Sequence, residues 1–163
     1  KDKLTRFFYK TLSLFYFSGL VYLILVIESN YYDLKIYLLY SLLVAIMSDV
    51  GGLIFGKTFK GKRLTKISPN KTISGSIGSL ILPMSLIPFF YRFQIDQNLL
   101  SILLITIIIS FTTQLGDLFI SYLKRRAKVK DTSDLLPGHG GVLDRIDGII
   151  FAIPLGIYLF III

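Results

Sequence analysis

The chain contains no cysteine, one histidine and only ten acidic residues among 163. Without cysteine the sequence has neither disulfide bonds nor thiolate metal sites. With a single histidine it also lacks the usual ligands of zinc, so a metal site would use oxygen ligands suited to Mg²⁺ or Mn²⁺. Charged residues make up 17% of the chain, whereas soluble domains carry about 25%. This shortage of polar surface predicts a membrane protein.

Hydrophobic residues make up 53% of the chain and fall into five apolar segments. A bilayer core of about 30 Å requires about 20 mostly apolar residues in a helix. The first segment resembles a signal peptide, but no small-residue cleavage site follows it, so we expect a retained helix. We predict an all-α integral membrane protein with about five transmembrane helices, forming a single polytopic membrane domain over residues 1–163. The predicted spans are residues 7–27, 36–55, 73–91, 99–120 and the shorter 148–163.

The basic residues are distributed unevenly between the polar segments. If the N-terminus faces the cytoplasm, 16 of the 18 lysines and arginines lie in the cytoplasmic segments 1–10, 57–71 and 124–145, and only Lys35 and Arg92 lie outside. This bias predicts that the two polar loops face the cytoplasm. We expect the protein to lie in a bacterial-type inner (plasma) membrane. Because the basic residues flank apolar runs, we expect contact with membrane lipid and no nucleic-acid binding.

Two acidic residues, Asp49 and Asp117, lie near the cytoplasmic ends of apolar segments. A carboxylate in hydrocarbon costs several kcal/mol and normally faces a partner or a wet cavity. One interpretation is that each acid reaches toward the interface or pairs with the lysine two turns later, Lys57 or Lys124. The other is a shared polar site at one depth. Nearby glycines favour a shared site because they let backbones or a ligand approach closely; they are Gly51, Gly52 and Gly116.

One predicted helix face carries a ladder of polar groups. Asp117, Ser121 and Arg125 are spaced i, i+4 and i+8, and Lys124 is adjacent to them. An acid beside a hydroxyl suits a hard metal ion, and a cation just beyond it suits phosphate. An ordinary helix end at the membrane interface would carry the same ladder, so the spacing alone leaves both interpretations open.

The most polar stretch of the chain covers residues 124–147. Its Asp144 and Asp147 are three apart and would share one helix face, where they could hold a divalent metal opposite Asp117. A glycine-rich turn in this stretch can present backbone N–H groups to an anion. The turn contains His139, which is either a hydrogen-bonding turn residue, a donor to phosphate or a base near pH 7.

The loop 56–72 contains six basic residues and no hydrophobic period, so we expect little helix in it. Thr72 can cap the following helix, whose N-terminus favours an anion. The loop does not have the residue order of a Walker A motif. It is either a solvated loop with positive-inside charge or half of a phosphate-binding site.

The residues from Ser121 to Asp147 read S-x-L-K-R-x4-K-D-x-S-x2-L-P-x-H-G-G-V-x-D-R-I-D. This segment resembles the signature of the phosphatidate cytidylyltransferases, also called CDP-diglyceride synthases. Supporting matches are Asp49…Gly56-Lys57, Ser68-Pro69-x-Lys71-Thr72-x2-Gly75 and Gly116-Asp117-Leu118, so that the resemblance covers roughly residues 40–150.

The chain departs from the family pattern in three ways. It has Gly52-Leu53 where the family often has Ala-Tyr, and Ser74 where a Glu is usual. Members of the family are commonly longer, with additional N-terminal helices. The chain begins at Lys1 rather than Met, so we expect a compact member, a processed protein or the C-terminal part of a longer one.

The resemblance implies an enzyme that joins CTP and phosphatidic acid into CDP-diacylglycerol and releases pyrophosphate. It also implies Mg²⁺ with a second cation such as K⁺, and a homodimer. Our hypothesis is in-line attack of a phosphatidate oxygen on the α-phosphorus of CTP, with catalysis by positioning and charge stabilisation. The expected metal ligands are Asp117, Asp144 and Asp147, and the catalytic set adds Lys124 and Arg125. The expected substrate-binding residues are Ser121, Lys130, Asp131, His139, Gly140, Gly141, Arg145, Lys57, Ser68, Lys71, Thr72 and Asp49.

Two other functions fit part of the pattern. A CDP-alcohol phosphatidyltransferase would show D-x2-D-G-x2-A-R followed by two spaced aspartates, and the residues from Asp144 to Gly148 copy only the opening of that motif. A small membrane transporter would also carry intramembrane acids. It would give no CTP-dependent product and would not need the stretch 124–147.

Overall fold

The computed structural model describes residues 2–30, 32–65, 68, 71–93, 97–129 and 146–163. In these ranges the chain is mainly helical, and an isolated antiparallel bridge joins Arg63 and Thr72. The helices are α1 (Asp2–Asn30), α2 (Tyr32–Phe59), α3 (Ile73–Ile81), α4 (Ile87–Phe93), α5 (Leu99–Arg126) and α6 (Ile149–Ile162).

Four helical segments in the described ranges are long and apolar enough to cross a membrane. α6 is shorter, with 14 residues, and its length is about 21 Å at 1.5 Å per residue. The prediction of an all-α integral membrane protein is therefore confirmed, and each of the five predicted segments contains helix. The four long segments are Lys10–Ile27, Leu34–Phe59, Ile73–Arg92 and Leu99–Arg126.

The third predicted span is not one continuous α-helix. A 3-10 stretch, Leu82–Leu86, separates α3 from α4. Pro83 explains the change, because proline has no N–H for an α-helical hydrogen bond and its ring crowds the preceding turn. The polypeptide still runs helically from one side of the span to the other, with a tighter turn in its middle.

α2 is longer than the apolar segment from which it was predicted. It ends at Phe59, so the predicted loop 56–72 begins with four helical residues. Lys60 follows with a φ of 40°, a left-handed conformation that commonly ends a helix. Lys57 consequently lies in the last turn of α2, where the helix dipole favours a cation.

The chain forms two compact units, Lys1–Lys35 and Ile36–Ile163. In the second unit, Tyr40 of α2 lies at the centre of an apolar core to which α4, α5 and α6 contribute. The ring of Tyr40 meets Phe90 and Phe160 edge-on, at centroid distances of 4.9 and 5.6 Å. Its hydroxyl group is 2.6 Å from Oγ1 of Thr106, which satisfies the polar end of a fully buried side chain.

α2 and α3 contact each other through their backbones at Gly51 and Gly78. A Cβ atom added to Gly51 would collide with the carbonyl oxygen of Gly78 and would lie 2.9 Å from its carbonyl carbon. Small residues allow this approach between membrane helices. The contact holds α3 against the part of α2 that follows Asp49.

We expect the substitution Gly51→Ala to destabilise the protein, because the added methyl group must push α3 away from α2. Overpacking of this kind typically costs about 1–3 kcal/mol, which should appear as a lower melting temperature in detergent. Gly19→Ala is the matched control, since a Cβ atom at Gly19 would meet nothing within 4 Å. Equal melting of both variants and the unchanged protein would contradict the close contact.

Candidate functional site

A cavity of about 380 Å³ lies between α2, α3 and α5, beside the segment that precedes α6. Ligand pockets commonly occupy about 300–1,000 Å³, so this cavity has the size of a small-molecule site. Its charged lining residues are Asp49, Lys71, Asp117 and Asp147. Its uncharged lining residues are Gly52, Leu53, Leu64, Ser68, Thr72, Gly75, Ser76, Ser79 and Gln114.

The loop after α2 folds back onto the start of α3 and so positions Lys71. The backbone N–H of Leu64 donates to the carbonyl oxygen of Lys71 at 2.7 Å, and that of Ile73 donates to Lys62 at 3.0 Å. Thr72 caps α3 as predicted, with Oγ1 accepting a hydrogen bond from the N–H of Gly75 at 3.1 Å. These contacts place Lys71 at the N-terminus of α3, on the cavity wall.

Two ion pairs join separate elements at the cavity. Nζ of Lys71 contacts Oδ2 of Asp117 directly, which ties the loop before α3 to α5. Nζ of Lys124 lies 3.8 Å from Oδ2 of Asp147, which ties the end of α5 to the segment before α6. Asp49 also lines the cavity. Of the two interpretations that the sequence left open, the structure therefore favours a shared polar site.

The predicted polar face of α5 exists, because the helix continues without a break to Arg126. Oγ of Ser121 donates to Oδ1 of Asp117 at 3.4 Å. Arg125 is exposed, and its Nη1 donates to the carbonyl oxygen of Val129 at 3.3 Å. Neither Arg125 nor the exposed Lys57 is among the residues that line the cavity, and their predicted roles stay predictions.

Asp147 is the most buried of the cavity acids, with 7% of its surface exposed. Its Oδ1 accepts a hydrogen bond from the N–H of Gly148 at 2.9 Å. Gly148 packs so closely on α5 that a Cβ atom there would lie 2.8 Å from the carbonyl oxygen of Thr113. A Cβ atom on Gly116 would lie 3.2 Å from the carbonyl oxygen of Asp147. These glycines let Asp147 approach the helix that carries Asp117.

Burial raises the pKa of Asp147 to about 7, and the negative charge of Asp117 adds to the increase. Lys124 and the N–H of Gly148 lower the pKa, and Asp49 raises it slightly. Acids from three elements thus repel one another across the cavity. A bound cation would relieve this repulsion, because metal ions are often the largest local charge in such a site.

The raised pKa of Asp147 predicts a pH-dependent stability. Asp147 holds its proton more tightly in the folded protein than in the unfolded chain, so the folded protein loses stability as the pH rises from about 4 to about 7. The substitution Asp147→Asn removes the ionisation. In EDTA, the variant should melt at a higher temperature than the unchanged protein at pH 8, and the difference should shrink toward pH 5.

The exposed Lys62 provides the control for this measurement, since Lys62→Gln should follow the pH trend of the unchanged protein. A melting difference between Asp147→Asn and the unchanged protein that is the same at both pH values would show that the Asp147 carboxyl group does not titrate in this range.

The donor atoms at the cavity suit Mg²⁺. Across the described ranges no three Asp, Glu or His side chains lie close enough together to hold a metal ion by themselves. Mg²⁺, however, is usually bound through one or two carboxylates, with water and substrate phosphates completing its shell. Asp117 and Asp147 at one cavity fit that arrangement.

Seven predicted site residues lie outside the described residues, and their roles stay predictions. They include the third expected metal ligand and the single histidine. The seven are Lys130, Asp131, His139, Gly140, Gly141, Asp144 and Arg145.

Three polar residues of the cavity were not predicted from the sequence, namely Ser76, Ser79 and Gln114. Gln114 lies three residues before Asp117, on the same face of α5, and Ser76 lies four residues after Thr72 on α3. These spacings were visible in the sequence. Uncharged polar residues inside apolar runs nevertheless give a weak signal, because they also serve in ordinary packing between membrane helices.

Comparison with known proteins identifies the family. Residues 1–163 match the sequence profile of the cytidylyltransferase family. The chain belongs to this family. Membership confirms the family resemblance that was inferred from the signature at residues 121–147.

Several curated relatives in the family are named phosphatidate cytidylyltransferase. The protein of Staphylococcus haemolyticus is 48% identical over 122 residues, and that of Staphylococcus aureus is 44% identical over 124 residues. The protein of Staphylococcus saprophyticus is 45% identical over 122 residues. Each match covers 73% of this chain and 46% of the relative. The chain therefore spans about half the length of these relatives.

Proposed function

We propose that the protein transfers the cytidylyl group of CTP to phosphatidic acid, forming CDP-diacylglycerol and pyrophosphate for phospholipid biosynthesis. The observation that carries the proposal is the cavity lined by Asp117 and Asp147, of which Asp117 pairs with Lys71 and Asp147 pairs with Lys124. The names of the Staphylococcus relatives support the choice of both substrates.

The position of the cavity suits a reaction between a lipid and a water-soluble nucleotide. α2, α3 and α5 belong to membrane-spanning segments, while Lys71 lies on the polar loop that precedes α3. A site at such a boundary can receive phosphatidic acid from the bilayer and CTP from water. The lysines attract the phosphates of both substrates, and the acids match the cation that accompanies a nucleoside triphosphate.

In the proposed reaction an oxygen of the phosphatidate phosphate attacks the α-phosphorus of CTP in line. A new P–O bond forms, the bond from the α-phosphorus to the bridging oxygen breaks, and pyrophosphate leaves with the electron pair. Lys71 and Lys124 would orient the phosphates and stabilise the charge that develops on them. Asp117 and Asp147, with Asp144, would hold Mg²⁺, which supplies charge neutralisation when bound.

Charge supports an orientation of the cavity toward the cytoplasm of a bacterial inner membrane. α2 carries Lys57 in its last turn, and α5 carries Lys124, Arg125 and Arg126 in its last turn. Both helices therefore end in basic residues on the side where the cavity acids lie, as the positive-inside rule requires of cytoplasmic ends. A second cation such as K⁺ and a homodimer belong to the proposal through the family resemblance.

The substitution Asp117→Asn should abolish turnover. It keeps the shape of the side chain but removes the negative charge that pairs with Lys71 and would bind the metal. Loss of such a group typically costs several kcal/mol of transition-state stabilisation, or about a thousandfold in rate. The measurement is CTP-dependent formation of CDP-diacylglycerol from phosphatidic acid by the full-length protein in detergent, with Mg²⁺ and after its removal by EDTA.

The exposed residue Lys62 on the same polar loop as Lys71 gives a charge-altered control, and Lys62→Gln should retain turnover. Near-normal activity of Asp117→Asn would contradict the assignment of this residue. A wild-type protein that forms no CDP-diacylglycerol, but consumes added CDP-diacylglycerol with an alcohol, would instead favour a phosphatidyltransferase.

A further inference from the structure

Ser76 and Gln114 form a two-point contact across the cavity between α3 and α5. Oγ of Ser76 donates to Oε1 of Gln114 at 2.5 Å. Nε2 of Gln114 donates in turn to the backbone carbonyl oxygen of Ser76 at 3.4 Å. Because Ser76 bonds both the oxygen and the nitrogen of the Gln114 amide group, the contact fixes the orientation of that group.

The amide of Gln114 keeps bonding capacity for a ligand. A carboxamide has two N–H donors and two acceptor lone pairs. The hydrogen bonds just described use one N–H and one lone pair, and both residues line the cavity and are half-buried. Gln114 can therefore present a donor of fixed direction to a molecule in the cavity.

Gln114 and Ser76 lie on the membrane side of Lys71 and Asp117. Along α5, Gln114 is three residues before Asp117, which corresponds to about 4.5 Å further from the basic end of the helix. Along α3, Ser76 lies one turn inward from Thr72, the cap that directly follows Lys71. This neutral polar pair therefore lies deeper in the membrane span than the ion pair of Lys71 with Asp117.

The cavity also borders an apolar surface. Leu53 of α2 is one of its lining residues and has 61% of its surface exposed. Leu53 belongs to the membrane-spanning segment Leu34–Phe59. Acyl chains of a lipid can therefore lie beside the cavity while the polar part of the same lipid is inside it.

We propose that Gln114, held by Ser76, binds an ester carbonyl group of the phosphatidate glycerol backbone. This inference rests on the proposed function. The ester carbonyls of a diacyl lipid lie on the membrane side of its phosphate, as Gln114 lies on the membrane side of Lys71 and Asp117. A hydrogen bond from Gln114 to a carbonyl would set the depth of the lipid, so that its phosphate lies beside the lysines.

The test compares diacyl phosphatidate with a dialkyl ether analogue of the same chain length, which lacks the ester carbonyls. Affinity of the full-length protein for each lipid is measured in detergent without CTP, and turnover with CTP is measured separately. The variants are Gln114→Met, which keeps the length of the side chain but removes its donor, and Ser76→Ala. The control is Thr112→Val on α5, whose hydroxyl bonds the carbonyl oxygen of Ile108 in its own helix.

The unchanged protein should bind the diacyl lipid roughly three- to tenfold more tightly than the ether, as one net hydrogen bond implies. The preference should disappear in Gln114→Met, weaken in Ser76→Ala and persist in Thr112→Val, while the KM for CTP stays constant in all three. Each variant is judged by the ratio of its affinities for the two lipids. A general loss of stability cancels in this ratio, because a purely structural effect lowers both affinities equally.

An equal diacyl preference in the unchanged protein and in Gln114→Met would overturn the inference. A raised KM for CTP in Gln114→Met, with lipid binding unchanged, would also overturn it and assign the residue to the nucleotide. If the unchanged protein forms no CDP-diacylglycerol yet shows a diacyl preference that depends on Gln114, the proposed reaction fails and the lipid subsite stands.

Discussion

A carboxylate at the end of a membrane-spanning helix needs a compensating charge, and this requirement organises the site. Asp49, Asp117 and Asp147 come from three parts of the chain and line one cavity. Lys71 and Lys124 provide countercharges from other elements. Removing Lys71 or Lys124 would leave a cavity carboxylate without its countercharge, which is unfavourable at low dielectric. The ion pairs therefore connect the loop before α3, α5 and the segment before α6 into one assembly.

Backbone packing makes this assembly possible. Gly51 and Gly78 allow α2 and α3 to touch, and Gly148 allows the segment before α6 to touch α5 at Thr113. Because these glycines have no Cβ atom, the elements that carry the acids pack closely together. The acids therefore reach the cavity without needing long side chains. Aspartate, which has a short side chain, can then serve as a ligand of defined position. The apolar core around Tyr40 provides the rigid base for these contacts.

The helices could be predicted from the sequence because the thickness of the bilayer fixes the length of apolar runs. The polar face of α5 could be predicted as well, since Asp117 and Ser121 share a helical spacing. The pairing of Lys71 with Asp117 could not, because it depends on how the loop before α3 folds back. The contact of Ser76 with Gln114 likewise arises from tertiary packing. The 3-10 stretch, in contrast, has a local cause in Pro83, which a span prediction from apolar residues alone does not use. The signature residues between Lys130 and Arg145 stay predictions from the resemblance alone.

The central claim is that the cavity acids hold a divalent cation together with the nucleotide. The most direct measurement is the binding of Mn²⁺, in place of Mg²⁺, by electron paramagnetic resonance with and without CTP. We expect CTP to increase Mn²⁺ binding by the full-length protein. The increase should be lost in Asp117→Asn and kept in Lys62→Gln. CTP-dependent Mn²⁺ binding that survives unchanged in Asp117→Asn would contradict the claim that this cavity is the metal–nucleotide site.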